Sequence, residues 1–70
     1  MKWNGTQPKA IDINGNNITE LILPDSVKEV SCYNNNLKEL ILPDSIESVY
    51  CDSDTKLINV KSHMNINMIY

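Results

Sequence analysis

Arginine and phenylalanine are absent from this 70-residue chain, glycine and cysteine occur twice each, and histidine occurs once. Each shortage removes a class of function. The planar fork of Arg is what reads phosphate and guanine bidentately. Six Lys against nine Asp and Glu leave a net charge of −3, which a phosphate backbone repels. Nucleic acid is therefore not an expected partner. No Gly-rich phosphate loop, G-x-S-x-G or H-E-x-x-H segment can be found, and His63 stands alone, so no enzyme activity and no cofactor are expected. Two Cys without a C-x-x-C pair and one His fall short of a four-ligand metal site. No apolar run approaches the roughly 18–20 residues that cross a bilayer, so no membrane partner is expected. Met1-Lys2-Trp3-Asn4-Gly5 lacks the apolar segment of a signal peptide. The expected location is a reducing cytosol, of the producing cell or of a host.

What the chain does have is a repeat. Glu-Leu-Ile-Leu-Pro-Asp-Ser occurs at residues 20–26 and again at 39–45, an offset of 19 residues that holds over the surrounding sequence. A fixed period of this length predicts a solenoid. The eleven-residue pattern L-x-x-L-x-L-x-x-N-x-L fits residues 27–37 through Val27, Val30, Cys32, Asn35 and Leu37, and fits 8–18 through Pro8, Ile11, Ile13, Asn16 and Ile18. Residues 46–56 follow it through Ile46, Val49, Cys51 and Asp54, then break at Lys56. A one-residue insertion restores the frame, with Leu57 and Val60 taking the places of Leu37 and Leu40, and Ile66 that of Ile46. The expected organisation is one domain over 1–70: an N-terminal cap at 1–7, repeats at 8–26, 27–45 and 46–65, and a partial C-terminal repeat at 66–70.

Apolar residues alternate where the pattern reads x-L-x-L-x, the period of a half-buried strand. Strands are expected at 10–14, 29–33, 48–52 and 68–70, stacked as a parallel sheet. The crossovers contain Pro24 and Pro43 and are too short for a helix, so extended or 3₁₀ backbone is expected there, with Asp-Ser supplying the turn. Stacking creates one core from the columns Pro8/Val27/Ile46/Ile66, Ile11/Val30/Val49/Ile69, Ile13/Cys32/Cys51, Ile18/Leu37/Leu57 and Leu21/Leu40/Val60. Trp3 is placed over the first turn, and Met64, Met68 and Tyr70 over the last.

These residues make the chain resemble the leucine-rich repeat family over residues 8–70, and its short Leu-Pro repeats are similar to those of bacterial effectors. The resemblance implies an α/β-class solenoid that is nearly all β, with a parallel sheet of three to four strands. It also implies that the sheet's open face grips other proteins, and that the Asn column is structural.

Cys32 and Cys51 share one column, where they read as small buried hydrophobes. A cross-strand disulfide is the alternative, disfavoured in a reducing compartment. Asn16, Asn35 and Asp54 form a column placed to bond backbone groups between turns. The Asp54 position should be the weakest, because a carboxylate cannot donate.

The outward strand positions hold Asp12, Glu29, Ser31, Tyr33, Tyr50, Asp52 and Tyr70. These are the candidate protein-binding residues. Tyr brings a large rigid surface with a polar tip, although it also suits exposed strand faces with no partner at all. Tyr50 and Tyr70 are expected to stack, with Tyr33 diagonal to Tyr50. The expected function is a small protein-binding module, an inhibitor or effector of bacterial or phage origin. Two alternatives stand beside it: an acidic mimic that blocks a nucleic-acid-binding enzyme, and a structural unit that pairs into a homodimer through exposed strand edges.

Overall fold

The computed structural model describes residues 7–69, the side chain of residue 69 excepted. Six short strands follow in order: β1 (Ala10–Asp12), β2 (Glu29–Ser31), β3 (Glu39–Ile41), β4 (Ser48–Asp52), β5 (Lys56–Ile58) and β6 (Asn65–Ile69). They form two parallel sheets, one ordered β1-β2-β4-β6 and the other β3-β5. No helix occurs among the described residues. The chain is thus a small β-solenoid of parallel sheets.

Alternation explains both walls. In β4 the pattern buries Val49 and Cys51 and turns Tyr50 out; in β3 it buries Leu40 and turns Glu39 and Ile41 out. The inward side chains from the two sheets meet in a single cluster that includes Val27, Val30, Leu40, Leu42, Ile46 and Val49, all at most 1% exposed. Parallel strands need a connection that returns to the same end, and here the opposite sheet is that connection.

The crossovers are extended, as expected, but the second and third of them zip into the β3-β5 ladder instead of remaining irregular. The reason is that E-L-I-L also alternates. Leu23 and Leu42 join the core at 8% and 0% exposure, a column missing from the sequence reading. Each crossover then turns sharply: Val27 N–H donates to Pro24 C=O at 3.2 Å, and Ile46 N–H to Pro43 C=O at 3.1 Å. The Ser that follows Asp reaches back one turn. Ser26 Oγ donates to Pro8 C=O at 2.7 Å, and Ser45 Oγ to Val27 C=O at 2.6 Å. The repeated Pro-Asp-Ser is therefore a clamp between turns.

The third turn departs from the expected frame. β1 to β2 and β2 to β4 pair at 19-residue offsets, as in Ile11↔Val30↔Val49, but β4 pairs with β6 as Val49↔Ile66 and Cys51↔Met68, and β3 pairs with β5 as Leu40↔Leu57. Those are offsets of 17. The turn is shortened by two residues, not lengthened by one. Leu57 consequently stands with Leu40, not Leu37, and Ile66 with Val49, not Ile46. Val60 is expelled from the core to 52% exposure. Thr55 fills the gap below Leu37, buried at 3%, with Oγ1 donating to Leu37 C=O at 3.1 Å. Met64 takes the place below Ile46, in a turn closed by its N–H on Lys61 C=O at 3.1 Å. The last strand starts at Asn65, three residues before the expected 68, as this shortening requires. The expected roles of Trp3, Tyr70 and the Ile69 side chain fall outside the described residues.

β1 and β2 end at Asp12 and Ser31, short of the expected 14 and 33. The pairing itself runs on, through Ile13 N–H to Ser31 C=O at 2.9 Å and Gly15 N–H to Tyr33 C=O at 2.8 Å. Strand ends defined by different criteria differ by this much.

Candidate functional site: the outer face of the four-stranded sheet

The ladder registers put the candidate residues on one surface. Ala10, Glu29, Ser48 and Asn65 form one outward row, and Asp12, Ser31, Tyr50 and Asn67 the next. Tyr33 lies just beyond β2, and its ring meets that of Tyr50 edge to face, with centroids 6.2 Å apart and planes at 71°. This is the favoured quadrupolar geometry for an aromatic pair. Tyr50 is 37% exposed. The Tyr33 phenol is pushed above its ordinary value by loss of surrounding water first, and then by the Tyr50 hydroxyl and the thiols of Cys51 and Cys32. It stays neutral and keeps a proton to donate. Opposite Tyr50 on β6 stands Asn67, so the expected Tyr50/Tyr70 stack is replaced by Tyr50/Asn67; Tyr70 itself lies outside the described residues.

The two Asp of the candidate set differ in role. Asp52 is occupied in the scaffold: its Oδ1 accepts Asn34 N–H at 2.9 Å and its Oδ2 accepts Asn35 N–H at 3.2 Å. This bond pair caps a turn in which Asn34 holds a positive φ of 56°. Among the described residues Asp12 makes only a long contact, its Oδ1 3.4 Å from Asn14 N. Glu29 is exposed at the end of its strand. Ser31 donates its hydroxyl to Asn14 Oδ1 at 3.0 Å, and the same oxygen takes Tyr33 N–H at 2.7 Å. Asn14 thus fixes the backbone on which Tyr33 is carried.

The Asn column is real at its centre and broken at its end. The Asn35 side chain makes three bonds to the preceding turn and one to Tyr33 C=O in its own, while Asp54 is exposed and makes none among the described residues. Its place is taken by Asp52 and Thr55. Asn59, also at positive φ (72°), donates Nδ2 to Leu42 C=O at 2.7 Å and to Asp44 Oδ1 at 3.0 Å. His63 stands where Ser26 and Ser45 stand in earlier turns, with Nε2 3.1 Å from Ile46 C=O. A carbonyl only accepts, so Nε2 carries the proton there.

Cys32 and Cys51 are free and fully buried. Burial, then the neighbouring Cys51 and Asp52, pushes the Cys32 thiol up to about 12. Burial and Asp52 push Cys51 upward as well. Thiols held protonated in this way are poor nucleophiles and poor metal ligands. Among the described residues no group of three or more His, Cys, Asp or Glu is placed to hold a metal ion, and no helix is long and apolar enough to cross a membrane.

No family model matches the chain, and no match is found among curated proteins or solved structures.

One further surface lies outside the candidate set. On the side of the second sheet, Ile41 of β3 and Ile22 of the unpaired crossover before it point outward at 64% and 65% exposure. Strict alternation in Leu-Ile-Leu, with both Leu buried, is the signal that finds them.

Proposed function

We propose that the chain is a protein-binding module that docks its partner on the outer face of the four-stranded sheet. The observation that carries this reading is the edge-to-face pair of Tyr33 and Tyr50, presented on a hydrogen-bonded parallel sheet. Tyr loses little rotamer entropy on binding and offers both apolar area and a hydroxyl. A rigid scaffold lowers the ordering cost of association further. Asp12 and Glu29 stand beside the pair with their side chains exposed, which favours a partner with a basic patch and speeds encounter at low salt. A small acidic binder of this kind suits an inhibitor or effector, and the likeness of the repeats to leucine-rich repeats supports the same use of the sheet.

The test compares proteins captured by immobilised wild-type chain with those captured by Tyr33→Ala/Tyr50→Ala and by Asp12→Lys/Glu29→Lys. Asp52 is left intact because it caps a turn. The expected result is a captured species lost from both variants while their circular-dichroism melts stay cooperative. An unchanged captured set with both variants folded removes this face as the site.

A further inference from the structure

The side of the solenoid formed by the second sheet and the first crossover carries an apolar ridge that neither the core nor the tyrosine face uses. Ile22 and Ile41 stand out from it, Ile58 lies beside Ile41 in the ladder, and Val60 follows at 52% exposure. The ridge is open between its first two turns. β3 is laddered to β5 alone, and among the described residues no backbone hydrogen bond joins 19–23 to β3. A groove of about 450 Å³ lies there, lined by Thr19, Ile22, Asn36, Lys38 and Ile41 among others.

Charge changes sign along this ridge. All nine acids lie between Asp12 and Asp54; beyond Asp54 the only charged side chains are Lys56 and Lys61. The first turn ends in exposed Asp25, and the last carries exposed Lys56 and Lys61. A basic partner would suit the first turn and be repelled by the last; an acidic one would meet the reverse. The surface that complements both ends is the same face turned around.

We propose that this face joins two copies of the chain. A two-fold axis parallel to the strands, through the middle turn, lays the first turn of each copy on the last turn of the other. Ile41 packs on its own equivalent, Ile22 on the second copy's Ile58 and Val60, and Asp25 faces the second copy's Lys61. Glu39 nears its equivalent at the axis, where Lys56, its neighbour in the β3-β5 register, offsets the charge. The ridge is four apolar side chains, Ile22, Ile41, Ile58 and Val60, where a standard interface takes roughly 20–30 residues a side. The dimer is therefore weak and responds to concentration and salt. This surface is separate from the tyrosine face, and either can stand without the other.

Sedimentation equilibrium tests it. The weight-average mass should rise with concentration toward twice the 8.0 kDa of the chain and fall back in high salt. Ile22→Asp/Ile41→Asp should weaken association about tenfold or more while the fold, followed by circular dichroism, is kept. Asp25→Lys sets a cation against Lys61 at both contacts, and Lys61→Glu sets an acid against Asp25 at both contacts. Each should associate more weakly alone than wild type, and an equimolar mixture should recover the dimer. A wild type monomeric at every concentration, an isoleucine variant that associates like wild type, or a mixture no heavier than its parts would overturn the proposal. Capture of a Lys-rich peptide on Ile22 and Ile41 by a monomeric wild type would overturn it too, by showing an outside partner instead.

Discussion

Asn35 holds Asn16 across one turn of the solenoid: its Oδ1 accepts the Asn16 backbone N–H at 3.0 Å. The same oxygen takes Ile18 N–H at 2.9 Å, and Nδ2 donates to Ile13 C=O at 3.0 Å and Tyr33 C=O at 3.1 Å. Only a side-chain amide offers an acceptor and two donors in so small a volume. Replacing it strands Ile18 N–H and Ile13 C=O, both partly buried, whereas Asn16 N–H is exposed and Tyr33 C=O keeps Gly15 N–H at 2.8 Å.

Asn35→Ala is therefore expected to lower unfolding stability by about 2–4 kcal/mol, since each stranded group costs about 1–3 kcal/mol. Asn35→Asp should recover only part of this, because a carboxylate cannot donate to Ile13 and Tyr33. The check is the urea midpoint, with Asn36→Ala as control; Asn36 is exposed and, among the described residues, bonds only through its backbone N–H, to Ile18 C=O at 3.0 Å. Equal midpoint shifts for Asn35→Ala and Asn36→Ala would refute the role given to Asn35.

Gly15 sits at φ +70° with open space where a Cβ would go, and Asn34, one repeat later, holds φ 56°. Sterics and local hydrogen bonding let Asn adopt this conformation, whereas a β-branched residue is strained there. Gly15→Asn should fall within about 0.5 kcal/mol of wild type, and Gly15→Val should lose about 1–2 kcal/mol. Thermal melts of the two variants decide it, and a Val variant as stable as the Asn variant would remove φ as the cause.

The buried thiols predict how stability changes with alkali. The ordinary thiol value is 9.0, and Cys32 is raised to about 12 in the fold, with Cys51 raised as well. Between these values the unfolded chain gives up thiol protons that the folded chain keeps. It then binds fewer protons than the native state, so stability falls as pH rises. The stabilisation is complete below pH 9.0 and is lost progressively from there toward about 12, at up to about 1.4 kcal/mol per pH unit for each thiol. Urea midpoints across this range should fall less steeply for Cys32→Ala/Cys51→Ala than for wild type, and parallel slopes would contradict the assignment.

The solenoid was legible because its signals agree at several levels. Period, alternation and turn residues all place Val30 and Val49 inside and Tyr50 outside, as the ladder has them. The third turn was not legible, because Leu57 can be brought into frame by adding one residue or by removing two. Sequence alone matches letters such as Leu57 to Leu37; the ladder matches hydrogen bonds and puts Leu57 beside Leu40. Asn occurs ten times in the 70 residues, and its use was half legible. The column through Asn35 follows from the pattern, but the positive φ at Asn17, Asn34 and Asn59 does not show in spacing. The double duty of Asp52 was hidden for a different reason. An outward strand position reads as free surface, and the cap it makes on Asn34 depends on a turn in the preceding repeat.

The backward-reaching clamps tie each turn to the one before it. Ser26 bonds Pro8, Ser45 bonds Val27 and His63 meets Ile46; each side chain belongs to the later turn and each carbonyl to the earlier one. Contacts of this kind run between neighbouring turns, with the partners 17 or 18 residues apart, so the loop each one closes stays near one repeat in length. Loop-closure entropy rises with loop length, so this limits the entropic cost of each closure.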